Sequence, residues 1–214
     1  MNITLLLILF GILSAGCQTN INTNSMHTLP ENCSDQLEKK LLELRYHSIW
    51  LQVEGSTWTE LSQQYNDKCF EQLLLDEKAS GKARFFAAEI LFLQHGELLS
   101  KIDKKTLNSL YAKALANNYT SSANAWGLPG ETDVVGQHLL SVSDGTTTEV
   151  WEALLDNNEK VLYEGSEEAT FGNSYNYRIK DIAAYYLSKM KNVDYVVHED
   201  PKKRDKKIEQ LKKK

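Results

Sequence analysis

Three carboxylates lie close together in the second half of the sequence, in a stretch that also holds aromatic residues. Glu164, Glu167 and Glu168 follow Tyr163, and Phe171 comes three residues after them. Paired carboxylates at a set separation act as general acid and base in glycoside hydrolases, and clustered carboxylate oxygens bind Ca²⁺. The alternating Asp and Asn pattern of a dedicated calcium loop is absent. A solvated surface loop is the simpler interpretation of the same residues.

The histidines form no recognisable catalytic or metal-binding motif. None has another histidine three or four positions away, and HExxH, CxxC, GxSxG, P-loop and dinucleotide-binding motifs are absent. Only His138, which follows the loop of Trp126 closely in the sequence, remains a candidate. Trp126 and His138 together define a second possible binding loop. A hydrogen-bonded structural role explains His138 more simply. We therefore expect no metal, no cofactor and no enzymatic activity.

The N-terminus carries a motif with its own chemistry. An apolar run over residues 3–13 leads into Leu-Ser-Ala-Gly-Cys at residues 13–17. The run is too short to span a bilayer but has the length of a signal-peptide core. A cysteine directly after small residues resembles the lipobox of bacterial lipoproteins, in which the thiol receives a diacylglyceryl group. The resemblance implies a signal peptide over residues 1–16 and acyl chains, such as palmitate, that hold Cys17 in a bilayer.

Two further cysteines remain in an exported chain. Oxidation is permitted there, and a bridge between Cys33 and Cys69 would contribute about 3–4 kcal/mol of stability. If helices over residues 35–53 and 57–76 form a hairpin, however, Cys33 lies roughly 12 Å from its partner, beyond the reach of a disulfide. The sequence leaves the bridge open.

Charge is distributed unevenly along the chain. The net charge is −5, but residues 200–214 hold eight basic and three acidic residues, which leaves −10 on the remainder. An acidic body argues against nucleic-acid binding, which needs a basic footprint. The basic tail is either a solvated helix or a surface that contacts anionic lipid.

Composition and periodicity predict an all-α protein. Three prolines and 42% hydrophobic residues favour a helical core. Residues 17–33 are expected to form the lipidated start and a tether, residues 34–199 an α-helical domain, and residues 200–214 a charged tail helix. Apolar spacing predicts helices at 35–53, 57–76, 82–94, 136–142 and 177–190, with further helices beginning near Asp103, Thr146 and Asp200.

Two segments of the chain are similar to each other. Residues 82–91 and 178–187 share the order basic, apolar, basic, any, apolar, Ala-Ala, any, apolar, Leu, and a Leu-Leu-Asp motif precedes each. The pattern resembles HEAT-like repeats, whose second helix carries a similar basic residue and alanine pair. The resemblance implies stacked helical hairpins in a HEAT-like α-solenoid; an irregular helical bundle is the alternative.

The second copy is longer than the first. Eleven residues separate Asp76 from Ala87, whereas twenty-seven separate Asp156 from Ala183. The sixteen extra residues correspond roughly to residues 160–175, here called the inserted segment. Insertions in solenoid proteins form loops on one face, often the binding face. The possible binding loop consists of Tyr163, Glu164, Glu167, Glu168, Phe171 and Asn173.

These features favour a membrane-anchored lipoprotein that binds another protein or acts as a scaffold. We expect it in the periplasm, at the outer membrane because Gln18 rather than Asp follows Cys17. One specific form is an immunity-type inhibitor of an envelope toxin, since an acidic body suits a basic partner. The alternative is a periplasmic hydrolase that uses the carboxylates near Glu164 and Glu168. The expected partners are the lipid bilayer and an unknown protein, with no nucleic acid.

Overall fold

The structure, a computed structural model, describes residues 33–46, 57–165 and 167–213, without the side chains of residues 57–59, 62, 95 and 168. The predicted signal peptide, Cys17 and most of the tether lie outside these residues, as does the middle of the helix expected at 35–53. All of the described residues belong to one packed unit.

Every regular element of the described residues is helical, which confirms the predicted all-α fold. The first half contains α1 (Cys33–Leu42), α2 (Thr57–Gln64), α3 (Asp67–Leu75), α4 (Gly81–Leu99) and α5 (Lys104–Ala116). The second half contains α6 (Val134–Val142), α7 (Glu149–Glu152), α8 (Glu167–Ser174), α9 (Ile179–Met190) and α10 (Pro201–Leu211). Short 3-10 turns occupy Asn124–Trp126 and Ala153–Asp156. Among the described helices, none is both long and apolar enough to cross a membrane.

The first hairpin is more broken than the sequence predicts. α1 ends at Leu42 in a tight turn, so the helix predicted over residues 35–53 is interrupted there. The continuous helix predicted over residues 57–76 is also wrong, because the chain divides it into α2 and α3 at Asn66. The Asn66 side chain accepts a hydrogen bond from the Cys69 N–H at 3.2 Å and so caps α3. A side chain that bonds its own backbone in this way competes with helix continuation.

The break at Asn66 decides where the second cysteine lies. Cys69 occupies the first turn of α3, beside Cys33 at the start of α1, and the two residues form a disulfide with their Cα atoms 6.0 Å apart. The large separation expected from one continuous hairpin does not apply, because α3 begins anew at this point. The bridge holds α1 against α3.

The two alanine pairs of the internal repeat mark equivalent central helices. α4 packs against α1, α3, α5 and α6, and Ala87 and Ala88 on it have no exposed surface. α9 packs against α5, α6, α7, α10 and the 3-10 turn before the inserted segment, and Ala183 and Ala184 are equally buried. All four alanines are thus buried on helices that pack against several neighbours. Small side chains there let neighbouring helices approach closely.

An aromatic cluster fills the core of the second half. The Trp126 ring centroid lies 6.4 Å from that of Tyr111, 6.2 Å from Trp151 and 5.9 Å from Tyr186, in edge-to-face arrangements. The Tyr186 hydroxyl donates to the Trp126 carbonyl and lies against the backbone of Gly136, where any Cβ would collide with it. Glycine is therefore required at this crossing of α6 and α9.

The tail helix α10 packs on α9 through buried charges. Asp181, only 1% exposed, lies 2.9 Å from the Arg178 Nε and 3.1 Å from the Arg204 Nε. At the start of α10, the Asp200 side chain accepts from the Lys202 N–H at 2.8 Å. Pro201 occupies the first turn, where its missing N–H costs nothing. The predicted cap at Asp200 is confirmed.

Candidate functional site

The inserted segment lies against the loop that carries Trp126. The Ala123 amide donates to the Leu162 carbonyl at 2.7 Å. Tyr163 is buried, and its hydroxyl donates to the Gly127 carbonyl at 3.0 Å. Burial raises the pKa of the Tyr163 phenol far above its ordinary value, so the phenol stays neutral. The two predicted binding loops thus lie against each other, and the buried Tyr163 side chain joins them through its bond to Gly127.

Two asparagine side chains hold the backbone of this segment in place. The Asn173 amide accepts from the Tyr163 N–H at 3.1 Å and donates to the Tyr163 carbonyl at 2.8 Å. The Asn124 amide does the same for Glu164, at 2.9 and 3.0 Å. α8 also comes close, because a Cβ at Gly172 would collide with the Tyr163 ring. The segment is therefore a fixed part of the fold and not a free loop.

Several side chains of the same segment point outward. Leu162 is 55% exposed and Phe171 is 47% exposed. Glu164 and Glu167 are exposed beside them, on either side of a turn at Gly165 with φ of 70°. The side chain of Glu168 lies outside the described set. The predicted binding residues thus divide into two anchors, the buried Tyr163 and the hydrogen-bonded but exposed Asn173, and the exposed apolar and acidic groups.

A cavity of about 170 Å³ adjoins the segment. Its lining includes Tyr163 and Asn124 together with two carboxylates, Glu131 and Asp133. Both carboxylates are exposed, and the Asp133 side chain also caps α6 by accepting from the Val134 N–H at 2.6 Å. We call the exposed apolar and acidic side chains of these two loops the acidic face; they are Leu162 and Phe171 with Glu131, Asp133, Glu164 and Glu167.

Trp126 itself does not contribute to this face. Its side chain is 1% exposed and belongs to the aromatic core. The loop contributes to the surface in two other ways. The Gly127 carbonyl accepts the hydrogen bond from the Tyr163 hydroxyl, and Glu131 and Asp133 follow it in the cavity lining. Trp126 therefore positions the loop from inside, which is the anchoring role that large aromatics commonly have.

The other member of that predicted pair, His138, lies in a buried polar cluster. Its Nδ1 lies 3.1 and 3.2 Å from the two carboxylate oxygens of Glu89, which has no exposed surface. Tyr46 and Tyr111 donate their hydroxyls to the same carboxylate, each at 2.5 Å. Phe92 stacks on the His138 ring with centroids 4.0 Å apart.

This cluster joins four parts of the chain around one carboxylate. Glu89 comes from α4, Tyr111 from α5, His138 from α6, and Tyr46 from the residues after α1. Burial and the neighbouring Glu89 raise the pKa of Tyr111 well above its usual value, so its hydroxyl remains a donor. Buried polar groups with complete hydrogen bonding fix the packing of the helices that carry them. His138 thus has the hydrogen-bonded environment of a structural histidine.

Two of the three carboxylates that suggested hydrolysis or Ca²⁺ binding belong to the acidic face. Glu164 and Glu167 are both exposed there, and the carboxylates that line the neighbouring cavity are Glu131 and Asp133. Within the described residues, no group of three or more His, Cys, Asp or Glu side chains is placed to hold a metal ion. Comparisons of the sequence with protein-family models and with curated proteins, and of the structure with solved structures, found no match.

Sequence reasoning missed several residues that organise these sites. Glu89 is the clearest case, because it stands alone among apolar residues in Phe-Phe-Ala-Ala-Glu-Ile-Leu-Phe-Leu. A single carboxylate in such a run indicates a buried group with dedicated partners. Asn124, by contrast, gives no signal in the sequence, since loop asparagines are common and its partner Glu164 lies 40 residues away.

Proposed function

We propose that this chain is a lipid-anchored protein of the bacterial envelope that binds a basic partner protein through the acidic face. The main support is the contrast between a fixed backbone and exposed side chains. Asn124 and Asn173 hold the segment by four hydrogen bonds, whereas Leu162 and Phe171 remain about half exposed. A surface that is already ordered loses little conformational entropy when a partner binds.

The chemistry of the face favours a protein partner with positive charge. Exposed apolar side chains supply affinity when they enter a pocket, and the surrounding charges select and orient the partner. Leu162 and Phe171 are the apolar groups, and the same two loops carry four exposed carboxylates. The chain before residue 200 carries a net charge of −10, which adds to the negative electrostatic potential of the acidic face. A scaffold protein or an immunity-type inhibitor of a basic toxin would use such a face.

Anchoring at the membrane is supported by the N-terminal motif alone. Cys17 follows small residues and an apolar run, and a diacylglyceryl group on its thiol would hold the protein at a bilayer. Replacement of Cys17 by Ser should abolish the incorporation of labelled palmitate and shift the protein away from the membrane fraction. Unchanged labelling and unchanged partition in the Cys17→Ser variant would disprove lipidation at this residue.

The acidic face is tested by reversing its charge without touching its anchors. Glu164→Lys combined with Glu167→Lys should reduce capture of the partner from native envelopes by about an order of magnitude. Both side chains are exposed, so the melting temperature should stay within about 1 °C of the wild type. Capture is quantified by cross-linking and mass spectrometry in a mild detergent.

A matched control separates the face from general electrostatics. Glu43→Lys with Glu60→Lys makes the same charge change at exposed positions on α2 and after α1. This control should keep full capture, and Phe171→Ala should lose it as the acidic variant does. If both face variants capture every protein that the wild type and the control capture, the acidic face is not a recognition surface.

A further inference from the structure

One face of α10 is locked into the protein. Arg204, Ile208 and Leu211 on this face are buried. The Arg204 guanidinium donates to the carbonyls of His198 and Glu199 at 2.9 and 2.6 Å. It also lies over the Tyr177 ring, 4.8 Å from the centroid, and pairs with Asp181. These contacts fix the rotation of α10 about its own axis.

The opposite face of α10 is therefore fixed as well, and it is basic. At 100° per residue, positions 202, 203 and 206 of α10, together with position 213 in the turn that follows it, lie within about one third of the helix circumference, away from the buried side. All four side chains are exposed. We call this surface the lysine face; it consists of Lys202, Lys203, Lys206 and Lys213.

None of the four lysines of the lysine face forms an ion pair within the described residues, and Glu209, the acidic residue on the same side of α10, pairs with Lys212. Nearby lysines are paired: Lys180 lies 2.8 Å from Asp205, and Lys212 lies 2.7 Å from Asp156. No acidic side chain of the described chain lies within ion-pair distance of the lysine face. The acidic residues of α10 are used elsewhere, since Asp205 binds α9 and Glu209 binds Lys212.

Helix stability does not account for this arrangement. Lys202 and Lys203 stand in the first turn of α10, where the positive end of the helix dipole disfavours cations. Lys206 lies three and four residues beyond them, a spacing at which like charges repel each other. An external anion would relieve both effects.

We propose that the lysine face docks on the surface of an anionic phospholipid bilayer, whose phosphate groups supply the missing negative charge. This inference rests on the membrane anchoring proposed above, which would keep α10 close to lipid. Each lysine near such a surface strengthens association roughly fivefold. The same surface repels the −10 charge of the rest of the chain, so the basic outer side of α10 is the side expected to face the lipid.

The test uses the full chain, reconstituted into phosphatidylcholine vesicles with or without phosphatidylglycerol. An amine-reactive acetylating reagent is added, and modification is followed by mass spectrometry. The lysine face should react about fivefold more slowly in the anionic vesicles at low salt. Exposed Lys39 and Lys40 on α1 serve as internal references that should not change. The protection should vanish at about 1 M salt, where screening reaches about 3 Å.

A matched pair of variants completes the test. Replacement of the four lysines of the lysine face by Gln should abolish the extra retention on anionic vesicles. The same change at the exposed residues 39, 40, 101 and 113 should not. Equal reactivity in both lipids, or protection by double-stranded DNA but not by vesicles, overturns the proposal. Failure of the acidic face to bind a partner leaves the lysine protection unchanged, so the two proposals fail separately.

Discussion

Arg204 and Asp181 form an ion pair inside the protein, with the Arg204 Nε 3.1 Å from Asp181 Oδ1 and neither side chain more than 1% exposed. Arg178 approaches the other oxygen of the same carboxylate, at 2.9 Å. Asp181 thus contacts two guanidinium groups, one from α10 and one from the residue before α9. Removal of Arg204 would leave Asp181 with Arg178 alone and would take the donor from the carbonyls of Tyr175, His198 and Glu199, which is much costlier than loss of a surface pair.

Replacement of Arg204 by Ala should therefore lower the free energy of unfolding by about 3–5 kcal/mol. Urea denaturation followed by circular dichroism measures the change. Lys206→Ala removes a charge from the exposed side of the same helix and should stay within about 0.5 kcal/mol of the wild type. Equal denaturation midpoints for the two variants would show that the ion pair does not hold α10.

Replacement of Glu89 by Gln tests the buried cluster around His138. The amide offers one acceptor oxygen to donors that previously shared two, so at least one of Tyr46, Tyr111 and His138 loses its acceptor. A loss of about 1–3 kcal/mol is expected from one unsatisfied buried group. Glu149→Gln, at an exposed position on α7, makes the same chemical change and should have little effect. A Gln variant as stable as this control would contradict the assigned structural role.

The buried tyrosines predict a loss of stability at alkaline pH. Burial raises the pKa of Tyr111, Tyr163 and Tyr186 above the ordinary value of 10.0. Above that pH the unfolded chain releases these protons while the folded chain keeps them, so the stabilisation is complete below pH 10.0 and falls as the pH rises. Each such tyrosine contributes a slope of up to about 1.4 kcal/mol per pH unit.

Urea titrations at several pH values between about 8 and 11 would measure that slope. Tyr111→Phe removes one of these hydroxyl groups, so the free energy of unfolding should fall less steeply with pH, by the contribution of one tyrosine. If the free energy of unfolding fell equally steeply with pH in the wild type and in this variant, Tyr111 would ionise equally easily in the folded and unfolded states.

Replacement of both Cys33 and Cys69 by Ser should cost about 4 kcal/mol, because the bridge closes a loop with a sequence separation of 36 residues. The wild type in a reducing agent should approach the stability of this variant. The variant itself should not respond to reduction, which controls for other effects of the reagent. A wild type that melts at one temperature with and without reductant would show that the bridge adds no stability.

Features that depend on neighbouring residues in the sequence were predictable. The caps at Asp103 and Asp200 were correctly expected from their residue types, and both side chains accept backbone N–H groups of the following helix. In each case the forces that decide the structure act within a few residues.

Features that depend on distant partners were not predictable. Tyr163 was expected to be a recognition residue, but its orientation depends on the Asn173 amide, 10 residues away, and on Gly127, 36 residues away. Its buried position could not be foreseen without those partners. The position of Cys69 was missed for a different reason, because the local cap at Asn66 prevailed over a continuous apolar stripe.

The paired asparagines have a consequence for aggregation. Residues 162–164 belong to no helix, and a non-helical segment with free N–H and C=O groups is a template on which other chains add strands. Here Asn173 and Asn124 occupy the backbone groups of Tyr163 and Glu164, as a neighbouring strand would. Side-chain amides thus satisfy backbone groups that no strand of the described residues covers. Loss of either asparagine would leave those groups free to pair with a second copy of the chain.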